Sequence, residues 1–281
     1  LNILNKIFSR STFRNCFDNG YDKTYSQVVR RYVDNGTGKQ NSELISQIYN
    51  VLREGYRNEY YYKNTLLNKL LLGIHSVNTT TALTEIPIAK SKADFVLING
   101  KAVVYEIKTE LDNFDRLENQ INDYYKAFDH VAVVTCKENL QVLKKKIEMI
   151  GKPVGIYIMQ KRGTITTIQK PQAYSVELDA EILFKILRKQ EYEEILFNKY
   201  KHLPDVSEFK YYSECKKMFL EIPLEEAYLS VLKLLKKRSQ IIKDEFSKIP
   251  YELKFLAYFM NLKSDDYKKI TKFLNESYGG V

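Results

Sequence analysis

The amino-acid sequence predicts an α/β protein: a mixed β-sheet flanked by helices, with a small N-terminal helical cap and an all-α C-terminal region. Three observations point there. Between about residues 50 and 170, short apolar runs of strand length alternate with amphipathic segments of helical period. Two of those runs are joined by Asn99-Gly100, a hairpin signal. From Val176 onward, Leu, Lys, Glu and Tyr recur at helical spacing and strand-like runs cease.

Residues 1–50 hold short amphipathic segments broken at Asn19-Gly20 and Asn35-Gly36-Thr37-Gly38, which predicts the cap. Asn58 to Leu72 reads as a helix ending near Gly73. Ile86-Pro87-Ile88 is the first core strand, and its proline marks a short or edge strand. Asp94 to Ile98 follows as a strand, Asn99-Gly100 as a two-residue turn, and Lys101 to Lys108 as the hairpin partner. Asp115 to Phe128 carries Leu117, Ile121, Tyr124, Tyr125 and Phe128 at helical spacing. Val131 to Thr135 and Val154 to Met159 are apolar enough to be buried strands, separated by a basic helix from Leu140 to Ile150. Thr164 to Ile168 adds an edge strand. Lys170-Pro171-Gln172 marks a boundary, followed by four or five helices punctuated by Pro204, Pro223 and Pro250. The expected segments are therefore 1–50, the cap; 51–170, the core; and 171–281, the helical region.

The chemistry concentrates in KADFVLINGKAVVYEIKTE. Side chains alternate along a strand, so Glu106 and Lys108 share a face, next to the strand that carries Asp94. Charges closing an apolar strand need partners or a metal. Two converging carboxylates suit a hard divalent cation, and an adjacent lysine can hold a water or a phosphate. The plain alternative is that these charges end a strand and face solvent. Downstream, Gln120 and Tyr124 are four residues apart and fall on one helical face.

Asp94, Glu106-Ile107-Lys108 and the Gln120–Tyr124 pair resemble the PD-(D/E)XK nuclease superfamily in its RecB-like Gln-xxx-Tyr variant, within a bacterial or phage-associated group. Ala93 stands where the family motif has proline. The resemblance implies a restriction-endonuclease-like core over about residues 58–168. It also implies a site in which Asp94, Glu106, the Ile107 carbonyl and Glu59 hold Mg²⁺ or Mn²⁺, with Glu85 competing for the place of Glu59. Lys108 would position or deprotonate a water, Gln120 would hold Lys108 or the phosphate, and Tyr124 would pack behind. The implied activity is metal-dependent hydrolysis of nucleic acid, DNA first, in phage defence, mobile-element biology or repair. The alternative is a nuclease-like binding module that does not cut and acts through its C-terminal helices. Alanine at Asp94 or Lys108 is expected to abolish cleavage and leave the fold intact.

Charge supports a polyanionic partner. Up to Lys170 the chain has 25 basic and 17 acidic residues, and beyond it 19 and 18, so the excess sits with the expected core. A homodimer and a protein partner for the C-terminal helices stay open. No apolar stretch reaches the roughly 18 residues of a membrane span, and no signal peptide is visible. Cys16, Cys136 and Cys215 lack zinc-site spacing. A cytoplasmic protein without membrane contact is expected. His75, His130 and His202 are isolated from one another, and the tyrosine clusters read as amphipathic packing residues.

Overall fold

The computed structural model describes residues 3–55, 57–74, 79–239 and 241–279. His75 lies outside them. The chain forms two compact units, one of Leu1–Val77, Met159–Ile165 and Gln240–Val281, the other of Asn78–Ile158 and Thr166–Ser239. Neither follows the consecutive segments expected from the sequence.

The first unit is built from both ends of the chain. It contains α1 (Leu4–Ile7), α2 (Arg10–Asn19), α3 (Lys23–Tyr32), α4 (Asn41–Glu54) and α5 (Glu59–Leu66). The second unit holds β1 (Thr81–Ile88), β2 (Ser91–Asn99), β3 (Lys101–Lys108), α6 (Leu117–Tyr125), β4 (His130–Thr135), α7 (Leu140–Ile150), β5 (Gly155–Met159) and β6 (Ile165–Gln169), the last two reaching the unit boundary. It continues through α8 (Ala180–Lys185), α9 (Lys189–Tyr200), α10 (Glu208–Leu220) and α11 (Leu224–Lys236). Helices α12 (Lys243–Lys248), α13 (Lys254–Phe259) and α14 (Ser264–Asn275) return to the first unit. Seven α-helices thus follow residue 171 among the described residues, more than the four or five expected.

In the first unit the buried Asn41 side chain joins the two ends. Its amide donates to the carbonyls of Phe273 and Glu276 at 3.0 and 3.1 Å, and its oxygen accepts from Tyr25 at 2.7 Å. The helix expected to end near Gly73 instead changes character at Leu67 and runs to Ile74 as π-helix. Tyr60, Tyr61 and Tyr62 are buried, with Tyr60 stacked on Phe8, so they serve packing.

The six strands lie in sheet order β1-β2-β3-β4-β5-β6. The first three pair antiparallel, while β3 with β4 and β4 with β5 pair parallel, with α6 and α7 in the crossovers. Strand β1 is an edge, as Pro87 requires, but spans eight residues instead of three, because Thr81 to Thr84 also pair with β2. Strand β2 begins at Ser91, so Asp94 is internal and not the opening residue; polar Ser91 and Lys92 still pair with the edge strand. The register matches Asn99 with Lys101, leaving Gly100 alone at the reversal with φ 72°, one turn residue where two were expected.

The central strands are buried on both faces, which explains their continuous apolar runs. Val96, Val104, Val133 and Ile156 share a core with Ile121, Tyr125 and Phe128, and also with Leu183, Leu196, Phe219, Val231 and Leu235 of the later helices. Each such side chain contributes roughly 1.5–3 kcal/mol by leaving water. Helices α8 to α11 therefore complete the sheet's own core. Apolar residues on them carry no mark of the segment they will meet, so a boundary at Lys170 does not follow from their periodicity.

Candidate functional site

The site is organised around Glu106, whose side chain is almost wholly buried on β3 and accepts three hydrogen bonds. Lys108 Nζ donates to Oε1 at 2.8 Å, Gln120 Nε2 to the same oxygen at 2.6 Å, and the Tyr124 hydroxyl lies 2.6 Å from Oε2. Lys108 Nζ also donates to Gln120 Oε1 at 2.9 Å, closing a triangle. Period-two alternation places Glu106 and Lys108 together, and the four-residue spacing aims Gln120 and Tyr124 at the same carboxylate. The ion pair is 2% and 8% exposed at its two side chains, deep enough to escape most solvent screening.

Tyr124 ties this centre to the edge hairpin, since its hydroxyl is also 2.9 Å from the Lys92 carbonyl. Burial pushes its phenol far above the ordinary tyrosine value, and the nearby Glu106 and Asp94 carboxylates push it further. Tyr124 thus stays a neutral donor. Asp123, one residue earlier, receives Lys90 N–H at 3.2 Å, Ser91 Oγ–H at 2.8 Å and Lys126 Nζ at 2.9 Å. Burial raises its carboxyl, but the bonds from Lys126 and Ser91 outweigh that and hold it below the ordinary value. Helix α6 therefore grips the β1–β2 turn on one side and Glu106 on the other.

Asp94 Oδ2 accepts the Ile107 backbone N–H at 2.9 Å. Its main chain continues the β2–β3 register one step past the Phe95–Tyr105 pair, which sets Asp94 beside Glu106. On the other side, the pairs Thr84–Phe95 and Ile86–Ala93 place Glu85 across from Asp94, and the two carboxylates come within 4.8 Å. Glu85 has φ 57°, a left-handed conformation unusual for a side-chain-bearing residue. Strict alternation would send Leu83 and Ile86 to opposite faces, yet both lie in one core, so the strand's phase slips at Glu85. Its carboxylate also meets Lys92 Nζ at 3.3 Å.

Glu59 sits in the first turn of α5, in the other unit, where its carboxylate pairs with Lys63 Nζ at 2.6 Å. Periodicity put Glu106 with Lys108 on one strand face and Gln120 with Tyr124 on one helix face; the fold brings the two pairs into contact. Periodicity missed the hairpin clamp by Asp123, whose only local signal is its place beside Tyr124. His130 is buried and bonded to Asp129 at 2.8 Å, and His202 is exposed beside the Leu203 carbonyl.

Asp94 and Glu106 provide hard oxygen donors of the kind Mg²⁺ and Mn²⁺ take, with Glu85 alongside Asp94. A carboxylate offers about four acceptor positions. Three of those on Glu106 are in use, leaving one on Oε2. Among the described residues Glu106 is not one of the carboxylates gathered within 4.8 Å around Asp94 and Glu85, so it would join an ion held there only by giving up or sharing one of its present bonds.

A family model described as bacteriophage P4 protein cII matches residues 53–255, a span that includes the sheet, α6 and α8 to α11. No curated protein and no solved structure matches the chain.

Proposed function

The chain belongs to the bacteriophage P4 protein cII family, and from that premise we propose that it is a divalent-metal-dependent nuclease acting on DNA in mobile-element biology. The observation that carries the reading is the convergence of Lys108, Gln120 and Tyr124 on buried Glu106, with Asp94 alongside on the Ile107 amide. The resemblance of Asp94 and Glu106-Ile107-Lys108 to the PD-(D/E)XK motif supports it, as does the basic excess before Lys170. No helix among the described residues is long and apolar enough to cross a membrane.

In this reading Asp94 and Glu106 hold Mg²⁺ or Mn²⁺, with Glu85 as the neighbouring third carboxylate. Such an ion lowers the pKa of an attacking water and stabilises charge on the phosphoryl oxygens. Lys108 turns its ammonium from Glu106 toward the scissile phosphate or the water. Gln120 holds Lys108 in the required rotamer, and the neutral Tyr124 hydroxyl fixes the Glu106 carboxylate.

One observation favours a second reading, a binding module that does not cut. The network of Lys108, Glu106, Gln120 and Tyr124 is well satisfied by protein groups alone, so the charges at the strand end have a structural role without any ion.

The test is incubation of labelled DNA with purified protein in Mn²⁺ and in EDTA, alongside Asp94→Asn. Asparagine keeps an oxygen for the Ile107 amide while removing the charge. Metal-dependent cleavage by the wild type and a loss of at least about 100-fold in the variant are expected, given the several kcal/mol of charge stabilisation a metal supplies. Equal cleavage by both proteins sinks the assignment of Asp94. No cleavage, together with no Mn²⁺ heat in calorimetry, favours the binding module.

A further inference from the structure

Beside Gln120, within the second unit, an open cleft of about 1220 Å³ runs between the β1–β2 turn, α6 and the end of α8. It exceeds the roughly 300–1,000 Å³ of small-molecule sites. Five cations line it, Lys90, Lys92, Arg116, Lys126 and Lys185, against the single carboxylate of Asp123. Asp123 is committed to Lys126 and to the hairpin turn. Lys92 and Lys185 meet the outlying Glu85 and Glu181 at 3.3 and 3.4 Å, in exposed pairs worth little. The side chains of Lys90 and Arg116 are exposed and have no acidic partner among the described residues. Of the lining residues only Pro87 and Ala89 have apolar side chains; the remaining polar groups are amides and a hydroxyl.

We infer that this cleft binds the sugar-phosphate backbone of one nucleic-acid strand and leads it past Gln120 to the Glu106–Lys108 centre. Charge selects a phosphate polymer, because neutralising phosphates releases condensed counterions. Continuity selects the direction: Gln120 lines the cleft and at the same time bonds Glu106 and Lys108. Concavity selects one strand, since a recess with cations on its walls tracks a flexible backbone. Asp123 has a positioning role here. It holds the hairpin turn against α6 and so fixes Lys90 and Lys92 opposite Arg116.

The inference rests on the nucleic-acid part of the proposed function and not on hydrolysis. It is tested by fluorescence anisotropy of a fluorescein-labelled single-stranded oligonucleotide with the full chain in EDTA, at several salt concentrations. Three proteins are compared: the wild type, Lys90→Gln/Arg116→Gln, and Lys144→Gln/Lys145→Gln, which removes two exposed charges from α7 outside the cleft. With five contacts at about 0.7 each, wild-type affinity should fall about 100-fold between roughly 50 and 200 mM salt, and that of the cleft variant only about 20-fold. The α7 variant should keep the wild-type slope. Equal slopes for the cleft variant and the wild type, an equal change in both variants, or no binding by the wild type each overturns the inference. Tighter binding of the matching duplex overturns the one-strand assignment. Slope loss in the cleft variant without any metal-dependent cleavage keeps the cleft and removes the nuclease reading; cleavage with an unchanged slope does the reverse.

Discussion

Replacing Lys108 by alanine should damage the fold as well as any activity. The ammonium is 2.8 Å from Glu106 Oε1 and 2.9 Å from Gln120 Oε1, and both charged side chains are buried. Alanine removes the cation and leaves the Glu106 carboxylate with only Gln120 and Tyr124 as donors. Removing one partner of a buried ion pair costs about 3–5 kcal/mol, chiefly because the remaining charge stays desolvated. In a domain of this size about 2–4 °C of melting temperature accompany each kcal/mol, so the fall should be about 6–20 °C. The sequence alone suggested an intact fold, with Lys108 serving the attacking water instead of the core. Differential scanning calorimetry on Lys108→Ala and on the double variant Glu106→Gln/Lys108→Met separates the causes. The double variant removes both charges, keeps an amide oxygen for hydrogen bonding and fills the lysine's volume, and it should recover most of the loss. A Lys108→Ala melt within about 1 °C of the wild type would refute the burial argument, as that corresponds to well under 1 kcal/mol. A double variant no more stable than Lys108→Ala would locate the cost in lost packing instead of the orphaned carboxylate.

Two further outcomes follow from the backbone and the buried phenols. Glu85→Gly should be more stable than Glu85→Val by about 1–2 kcal/mol, because a left-handed φ strains a side-chain-bearing residue and a β-branched one most; equal midpoints in urea would contradict the phase slip at this position. Burial raises the Tyr105, Tyr124 and Tyr228 phenols, further aided at Tyr124 and Tyr228 by neighbouring Glu106 and Asp129. A group raised in the fold stabilises fully below its unfolded value, near 10, and that contribution falls away as pH rises, by about 1.4 kcal/mol per pH unit for each tyrosine. Urea midpoints should therefore hold to about pH 9.5 and drop steeply by about pH 11, and a flat profile across that window would show the phenols to be accessible.

The periodicity of the sequence determined the local elements and which of their side chains travel together. Lys101 to Lys108 is the observed β3, Leu140 to Ile150 is α7, and Gln120 and Tyr124 share one helix face, because strand and helix periods are properties of a few consecutive residues. Only the tertiary structure decided that Glu85 stands across from Asp94 in a left-handed turn of the edge strand, that Lys108 is sealed against Glu106, and that Asp123 holds the hairpin to α6. It also decided that α8 to α11 finish the sheet's core while α14 returns to meet α4 through Asn41. An apolar face on a helix announces that it must be covered and not by what, and a charge announces that it needs a partner and not which one. The hairpin clamp and the helix pairings span tens to hundreds of residues of chain, where no local period reaches, and they are selected by whichever assembly buries the most apolar surface while leaving the fewest polar groups unsatisfied.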